Sequence, residues 1–156
     1  MIAVFAIPTS AIKNNIVESA KQIQKEGLWF QPLGFYLFQI DNMTDCLMMN
    51  INASTDSDDP IRSSMIVNFY QPYENGDIRT SRKLDETTLD IAENGANKST
   101  IFSNYARYWH GYQVILRPLL NFFNYNQIRV INYIALFVLF TITIILLYKR
   151  LNILYA

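Results

Sequence analysis

The sequence predicts a mostly α-helical protein, with a small helical extramembrane domain, an interfacial helix and one C-terminal transmembrane helix. Three observations support this fold class. Residues 130–148 form an uncharged run, VINYIALFVLFTITIILLY, which has the length that a helix needs to cross a bilayer. Residues 9–27 alternate apolar and polar positions with helical spacing, and residues 101–124 combine aromatic side chains with arginine.

The first eight residues, MIAVFAIP, are apolar but too few to cross a bilayer. They lack the basic start and the longer apolar run of a signal peptide. Residues 1–8 therefore fit either the remnant of a first transmembrane helix or a short buried strand.

An amphipathic helix is expected after Pro8. Its apolar face is formed by Ile12, Ile16, Ala20 and Ile23. Thr9 or Ser10 is a suitable N-cap, and Gly27 is a suitable stop.

Residues 9–100 form an acidic extramembrane region. Residues 41–93 contain eleven acidic and four basic side chains, whereas only basic side chains, six of them, follow Glu93. This distribution argues against a nucleic-acid partner and favours contact of the C-terminal part with an anionic lipid bilayer. Residues 28–40 predict a loop followed by a short strand or an interfacial segment, and the stretch DNMTDCLMMNINAS at residues 41–54 predicts a helix. Residues 74–99 predict a mobile loop.

The block at residues 101–124 predicts an interfacial aromatic and basic helix, kinked at Pro118. Aromatic residues interleaved with Arg107 and Arg117, close to a span, are typical of the headgroup level. A short linker at residues 124–129 then leads into the transmembrane helix at residues 130–148. A buried core helix is the alternative for that run, but the rest of the chain is too short and polar to surround it. Residues 149–156, which begin Lys149-Arg150, form the tail.

Asp41 and Asp45 are the candidate catalytic acids. They lie four positions apart, so that on a helix they would share a face, and they are embedded in apolar sequence. Carboxylates in such a setting can act as a general base or bind a divalent cation. The alternative is a purely structural role, which is also the favoured interpretation of the acidic turn at residues 56–59.

His110 is the only histidine, and together with Arg107 it is the candidate site for a phosphate or lipid head group. A structural role among the surrounding aromatic residues is the alternative. The only cysteine, Cys46, excludes an internal disulfide and a zinc site built from several cysteines. The sequence indicates no metal site and identifies no cofactor.

Two blocks carry a resemblance to known proteins. IDNMTDCLMMNINASTDSDDP at residues 40–60 and YARYWHGYQVILRPLLNFFNYNQIR at residues 105–129 resemble the first large extracytoplasmic loop of an uncharacterised bacterial polytopic membrane protein family. The resemblance implies a transmembrane helix on each side of the loop, further spans beyond it, and a chain that is a fragment of a larger protein. The layout is also loosely similar to that of multi-span lipid-linked-sugar glycosyltransferases, in which a carboxylate of the first external loop serves as base or metal contact.

Two functional hypotheses follow. The first is a fragment of a bacterial inner-membrane protein that, when complete, transfers envelope glycans or lipid-linked sugars, with Asp41 and Asp45 as acids and Arg107 and His110 at the phosphate. Its loop would be extracytoplasmic and its C-terminus cytoplasmic, and its partners would be the bilayer and the remaining spans. The second is a single-span, tail-anchored interaction protein without enzymatic activity. The positively charged residues near the span are balanced between its two sides, so they do not decide the orientation.

Overall fold

A computed structural model describes residues 2–74, 77–78, 84–95, 100–104 and 111–155 of the chain. The protein is mostly helical and ends in one long apolar helix, as the sequence predicts. The chain divides into a compact unit, Met1–Tyr125, and a second unit, Asn126–Ala156.

The described part contains seven α-helices: α1 (Ile2–Phe5), α2 (Thr9–Glu26), α3 (Asn42–Ala53), α4 (Pro60–Met65), α5 (Leu84–Asn94), α6 (Gln113–Leu120) and α7 (Tyr125–Tyr155). Its five strands are β1 (Trp29–Phe30), β2 (Ile40–Asp41), β3 (Asn68–Glu74), β4 (Asp77–Ile78) and β5 (Thr100–Asn104). A 3₁₀ turn, Tyr36–Phe38, lies between β1 and β2. All strand pairs are antiparallel: β1 pairs with β2, and β3 lies between β4 and β5.

The core of the compact unit forms where α2, α3 and α5 pack together, with β3 against α3 and α5. The predicted apolar face of α2 is confirmed, since its four residues are buried. Gly27 follows α2 with a positive φ of 81°, a conformation that glycine adopts without strain. Pro8 precedes α2 as its N-cap residue, so Thr9 is already helical and neither predicted hydroxyl caps the helix.

Asn50 joins α3 to the sheet. Its side-chain Nδ2 donates to the carbonyl of Tyr70 (3.0 Å), and its Oδ1 accepts from the Tyr70 backbone N–H (3.1 Å). The buried amide therefore pairs with β3 in the way that a neighbouring strand would.

The prediction of a mobile loop over residues 74–99 is wrong for the helical part of that range. Residues 84–94 form α5, which buries Leu84, Thr87, Thr88 and Ile91. The helix is amphipathic, but two of its inward positions are threonines, which a purely apolar pattern does not reveal. Thr88 is accommodated because its hydroxyl accepts from Asn50 Nδ2 at 3.2 Å.

Three further segments differ from the predictions. Residues 2–5 form the short helix α1 with Phe5 buried, rather than a strand. In the predicted interfacial helix, residues 101–104 belong to strand β5, which pairs with β3, and α6 covers Gln113 to Leu120. Pro118 lies inside α6, which ends two residues later. The expected linker is also helical, because α7 begins at Tyr125.

Arg117 of α6 was expected near lipid head groups, but its side chain is fully buried. The guanidinium donates to the carbonyls of Asn52 (3.1 Å) and Ile7 (2.7 Å) and to the Thr9 hydroxyl (3.0 Å). Burial lowers the pKa of Arg117 to about 10, which leaves it protonated at neutral pH. The side chain thus joins the α1–α2 connection, the end of α3 and α6 through one group.

We expect Arg117→Met to lower the free energy of unfolding by about 3 kcal/mol, because two buried carbonyls and a hydroxyl lose their donor. Arg62→Met removes an exposed arginine of α4 and should change stability by less than about 0.5 kcal/mol. Urea unfolding in detergent, followed by near-ultraviolet circular dichroism, measures both variants. Equal, small effects would contradict the role of Arg117.

Candidate functional site

The structure separates the two candidate acids into different roles. Asp41 is exposed and is the N-cap residue of α3, so it does not share a helical face with Asp45. Its carboxylate accepts from the Thr44 backbone N–H (3.1 Å) and the Thr44 hydroxyl (2.6 Å). These contacts satisfy the free N–H groups at the start of α3, which is the usual task of an aspartate at this position.

Asp45 lies in the first turn of α3 and is partly buried. Its Oδ2 accepts a hydrogen bond from the hydroxyl of Tyr125, the first residue of α7 and the last of the compact unit. The same hydroxyl lies 3.4 Å from Asn42 Oδ1. The sequence gives no sign of this contact, because eighty positions separate Asp45 from Tyr125.

Asn42 extends the contact to the end of α2. Its buried Nδ2 donates to the Gly27 carbonyl (2.8 Å) and to Glu26 Oε2 (3.0 Å). We refer to Glu26, Asn42, Asp45 and Tyr125 as the Tyr125 cluster. It joins the end of α2, the start of α3 and the start of α7 through polar side chains.

The backbone of Tyr125 is held as well. Its N–H donates to Ser19 Oγ at 2.8 Å, and the preceding Asn124 donates through Nδ2 to Glu18 Oε2 at 3.2 Å. Tyr125 is therefore fixed to α2 by its main chain and to α3 by its hydroxyl. Side chain and main chain together position the residue from which the apolar helix begins.

The chemistry of the Tyr125 cluster favours a structural task. The carboxylates of Glu26 and Asp45 both accept hydrogen bonds from neighbouring side chains. In the described residues, no three His, Cys, Asp or Glu side chains come together in a way that could hold a metal ion. The arrangement can orient and retain Tyr125 at the end of the compact unit.

Arg107 and His110, the predicted phosphate or head-group residues, lie outside the described residues. Their pairing with Asp41 and Asp45 stays a prediction. The acidic turn has the structural role that was favoured for it: Asp56 Oδ1 accepts from the Asp58 N–H (2.9 Å), and Asp59 caps α4 through the Arg62 N–H (3.0 Å).

Cys46 follows Asp45 and points into the core. It is buried, and its Sγ lies 3.3 Å from Thr88 Oγ1. Burial raises the pKa of the Cys46 thiol from 9.0 to about 12, and the negative charges of Asp85 and Asp45 act in the same direction. Since the thiolate is the nucleophile, Cys46 is an inert core residue at neutral pH.

A cavity of about 350 Å³ lies between α2, the end of α3 and α5. Its lining includes Lys13, Ile16, Ala53, Ile91 and Asn94. Lys13 Nζ donates to the carbonyl of Glu93 at 3.0 Å. Of the candidate residues that the structure describes, neither Asp41 nor Asp45 belongs to this lining.

Comparison with protein-family models, with curated proteins and with solved structures found no match to this chain.

We expect the Asp45–Tyr125 contact to be measurable by a double-mutant cycle. Tyr125→Phe should lower the free energy of unfolding by about 1–2 kcal/mol, because a partly buried carboxylate loses a donor. Asp45→Asn should have a similar effect, and the two changes combined should cost clearly less than their sum. Tyr133→Phe, on the exposed surface of α7, is the matched control and should be neutral. Full additivity of Tyr125→Phe and Asp45→Asn would show that the contact does not stabilise the protein.

The raised pKa of Cys46 predicts a loss of stability in alkali. The unfolded chain releases the thiol proton above about pH 9, whereas the folded chain retains it up to about pH 12. The free energy of unfolding therefore falls as the pH rises between these two values, by up to about 1.4 kcal/mol for each pH unit. Cys46→Ala should remove this decrease in the free energy of unfolding with pH, whatever the stability of the variant at pH 7. Denaturant unfolding of both chains at pH 8 to 11 tests this, and identical slopes would contradict burial of the thiol.

Proposed function

We propose that the chain is a membrane-anchored interaction protein of a bacterial inner membrane. In this proposal α7 crosses the bilayer, and the compact unit makes the interactions outside the bilayer. One observation carries the proposal. The stretch Tyr125–Leu151 is long and apolar enough to span a membrane, and none of its most apolar window is buried. Large apolar side chains are exposed from Val130 to Leu151, and hydrocarbon chains can cover them.

The same exposed surface of α7 suits packing against further spans of a larger polytopic protein. Lipid and neighbouring helices are both apolar, so either can cover it. The anchoring function is common to both arrangements.

The segment before α7 supports a position of the compact unit close to the lipid surface. α6 buries Gln113, Arg117 and Leu120 but exposes Val114 and Ile115, and Phe122 beyond its end is also exposed. Apolar side chains at the surface, a few residues before a span, are suited to the headgroup region. We therefore place residues 113–122 at the membrane interface, with their exposed apolar side chains, rather than Arg117, as the lipid contacts.

The interaction module is favoured over glycan transfer by the surroundings of the two acids. Asp41 caps helix α3, and Asp45 accepts a hydrogen bond from the hydroxyl of Tyr125. Both carboxylates thereby have structural partners within the chain, so the fold accounts for them without a reaction.

For orientation we propose that the compact unit is extracytoplasmic and that residues 149–156 are cytoplasmic. Two basic residues, Lys149 and Arg150, directly follow the apolar run, whereas Arg129 alone directly precedes it. Although the basic residues are balanced over a wider range, this excess next to the span supports a cytoplasmic C-terminal side.

Anchoring and orientation can be tested together in spheroplasts that express Met65→Cys. Met65 is an exposed residue of α4, whereas the natural Cys46 is buried, so the unchanged chain is a control that should stay unlabelled. We expect a membrane-impermeant maleimide to label Met65→Cys before lysis. We also expect the chain to remain in the membrane during alkaline carbonate extraction.

A matched pair of variants isolates the contribution of α7. Leu139→Arg with Ile142→Arg places two charges near the middle of the apolar run, at an insertion cost of about 3 kcal/mol each. This variant should be extracted by carbonate, whereas Leu139→Ile with Ile142→Leu should remain. Extraction of the unchanged chain would refute anchoring, and labelling of Met65→Cys only after lysis would refute the orientation.

A further inference from the structure

The segment between α2 and α3 exposes several large apolar side chains. We call residues 28–40 the aromatic loop. It contains no charged residue in thirteen positions. The exposed fractions of its side chains are 56% for Trp29, 64% for Leu33 and Phe35, 77% for Tyr36 and 91% for Leu37. Exposed apolar side chains clustered in one short segment mark a contact surface.

The aromatic loop has a defined structure. Its ends pair as antiparallel strands, Trp29 with Asp41 and Phe30 with Ile40. At its tip the Gly34 N–H donates to the Gln31 carbonyl at 3.1 Å, and Gly34 has a positive φ of 69° that favours glycine. The apolar side chains are therefore presented on an ordered turn.

The base of the aromatic loop is joined to Tyr125, the last residue of the compact unit. Asn42, two residues after the loop, donates to the carbonyl of Gly27, directly before it, and its Oδ1 lies 3.4 Å from the Tyr125 hydroxyl. Only five positions separate Tyr125 from Val130, where the apolar run begins. Even a fully extended chain would place these two residues no more than about 17 Å apart. The length of the chain alone therefore keeps Val130 within this distance of Tyr125, the residue that the loop base contacts.

We propose that the aromatic loop inserts its side chains into the headgroup region of the bilayer that α7 crosses, as a second membrane contact. This inference rests on the proposed anchoring by α7. Tryptophan and tyrosine are favoured at that depth, and leucine and phenylalanine gain from leaving water. The tether to Tyr125 makes the insertion intramolecular, so that the loop needs little affinity of its own.

The charges around the loop distinguish this contact from electrostatic adsorption. The residues that flank the aromatic loop have no excess of basic charge, since Lys25 and Glu26 precede the loop and Asp41 follows it. Insertion should therefore depend little on salt or on anionic lipid, unlike the binding of a polybasic segment.

The test uses the full chain in phosphatidylcholine liposomes, with the environment-sensitive dye NBD attached to Leu37→Cys. Met65→Cys, at another exposed apolar position, is the matched control, and the unchanged chain shows that buried Cys46 takes no dye. We expect emission from position 37 to shift to shorter wavelength and to be quenched several-fold more strongly by spin-labelled lipids than emission from position 65. High salt should leave both effects unchanged. Leu33→Cys, a second exposed loop position, should repeat the result.

The outcomes separate the two proposals. If the chain floats with the liposomes but position 37 stays in water, the loop inference is wrong and anchoring by α7 stands. A blue shift that grows with protein concentration and is insensitive to spin-labelled lipid would assign the loop to a second copy of the chain, which also refutes the inference. A chain that does not float with the liposomes refutes the anchoring and the inference together.

Discussion

Tyr125 is the residue on which the arrangement depends, because the compact unit ends there and the apolar helix starts there. Its N–H is bound by Ser19 of α2, and its hydroxyl by Asp45 and Asn42 of α3. A carboxylate that is partly buried needs such a donor, and a phenol that is buried needs such an acceptor. The two requirements are met by one contact, which fixes Tyr125, the last residue of the compact unit, to α3.

The buried guanidinium of Arg117 has a corresponding task at the other end of α3. It binds main-chain carbonyls of Ile7 and Asn52, so segments distant in the sequence share one donor group. A charged side chain in the core is costly unless its N–H groups are bonded. Polar side chains thus hold the compact unit at both ends of α3, while apolar packing of α2, α3 and α5 fills its centre. We assign to lipid the exposed apolar side chains of the aromatic loop and of residues 114–122.

The sequence predicted the features that depend on local spacing. The buried face of α2, its end at Gly27 and the long apolar helix follow from periodicity and from runs of apolar residues. It did not predict α5, where Thr88 takes a core position through hydrogen bonds to distant residues. Nor did it predict the roles of Asp45 and Arg117, whose partners lie far away in the chain. Contacts of that kind leave no periodic signal, and adjacent residues suggested other roles for both side chains.

The central claim is that α7 crosses a bilayer. It is tested most directly by spin labels placed one at a time along residues 130–148 of the chain in lipid bilayers. Membrane crossing predicts that collisions with oxygen rise to a maximum near the middle of the run, while collisions with a water-soluble nickel complex fall to a minimum there. An accessibility pattern that instead repeats with the helical period over the whole run, with nickel reaching one face throughout, would describe a helix lying on the surface and would contradict the account.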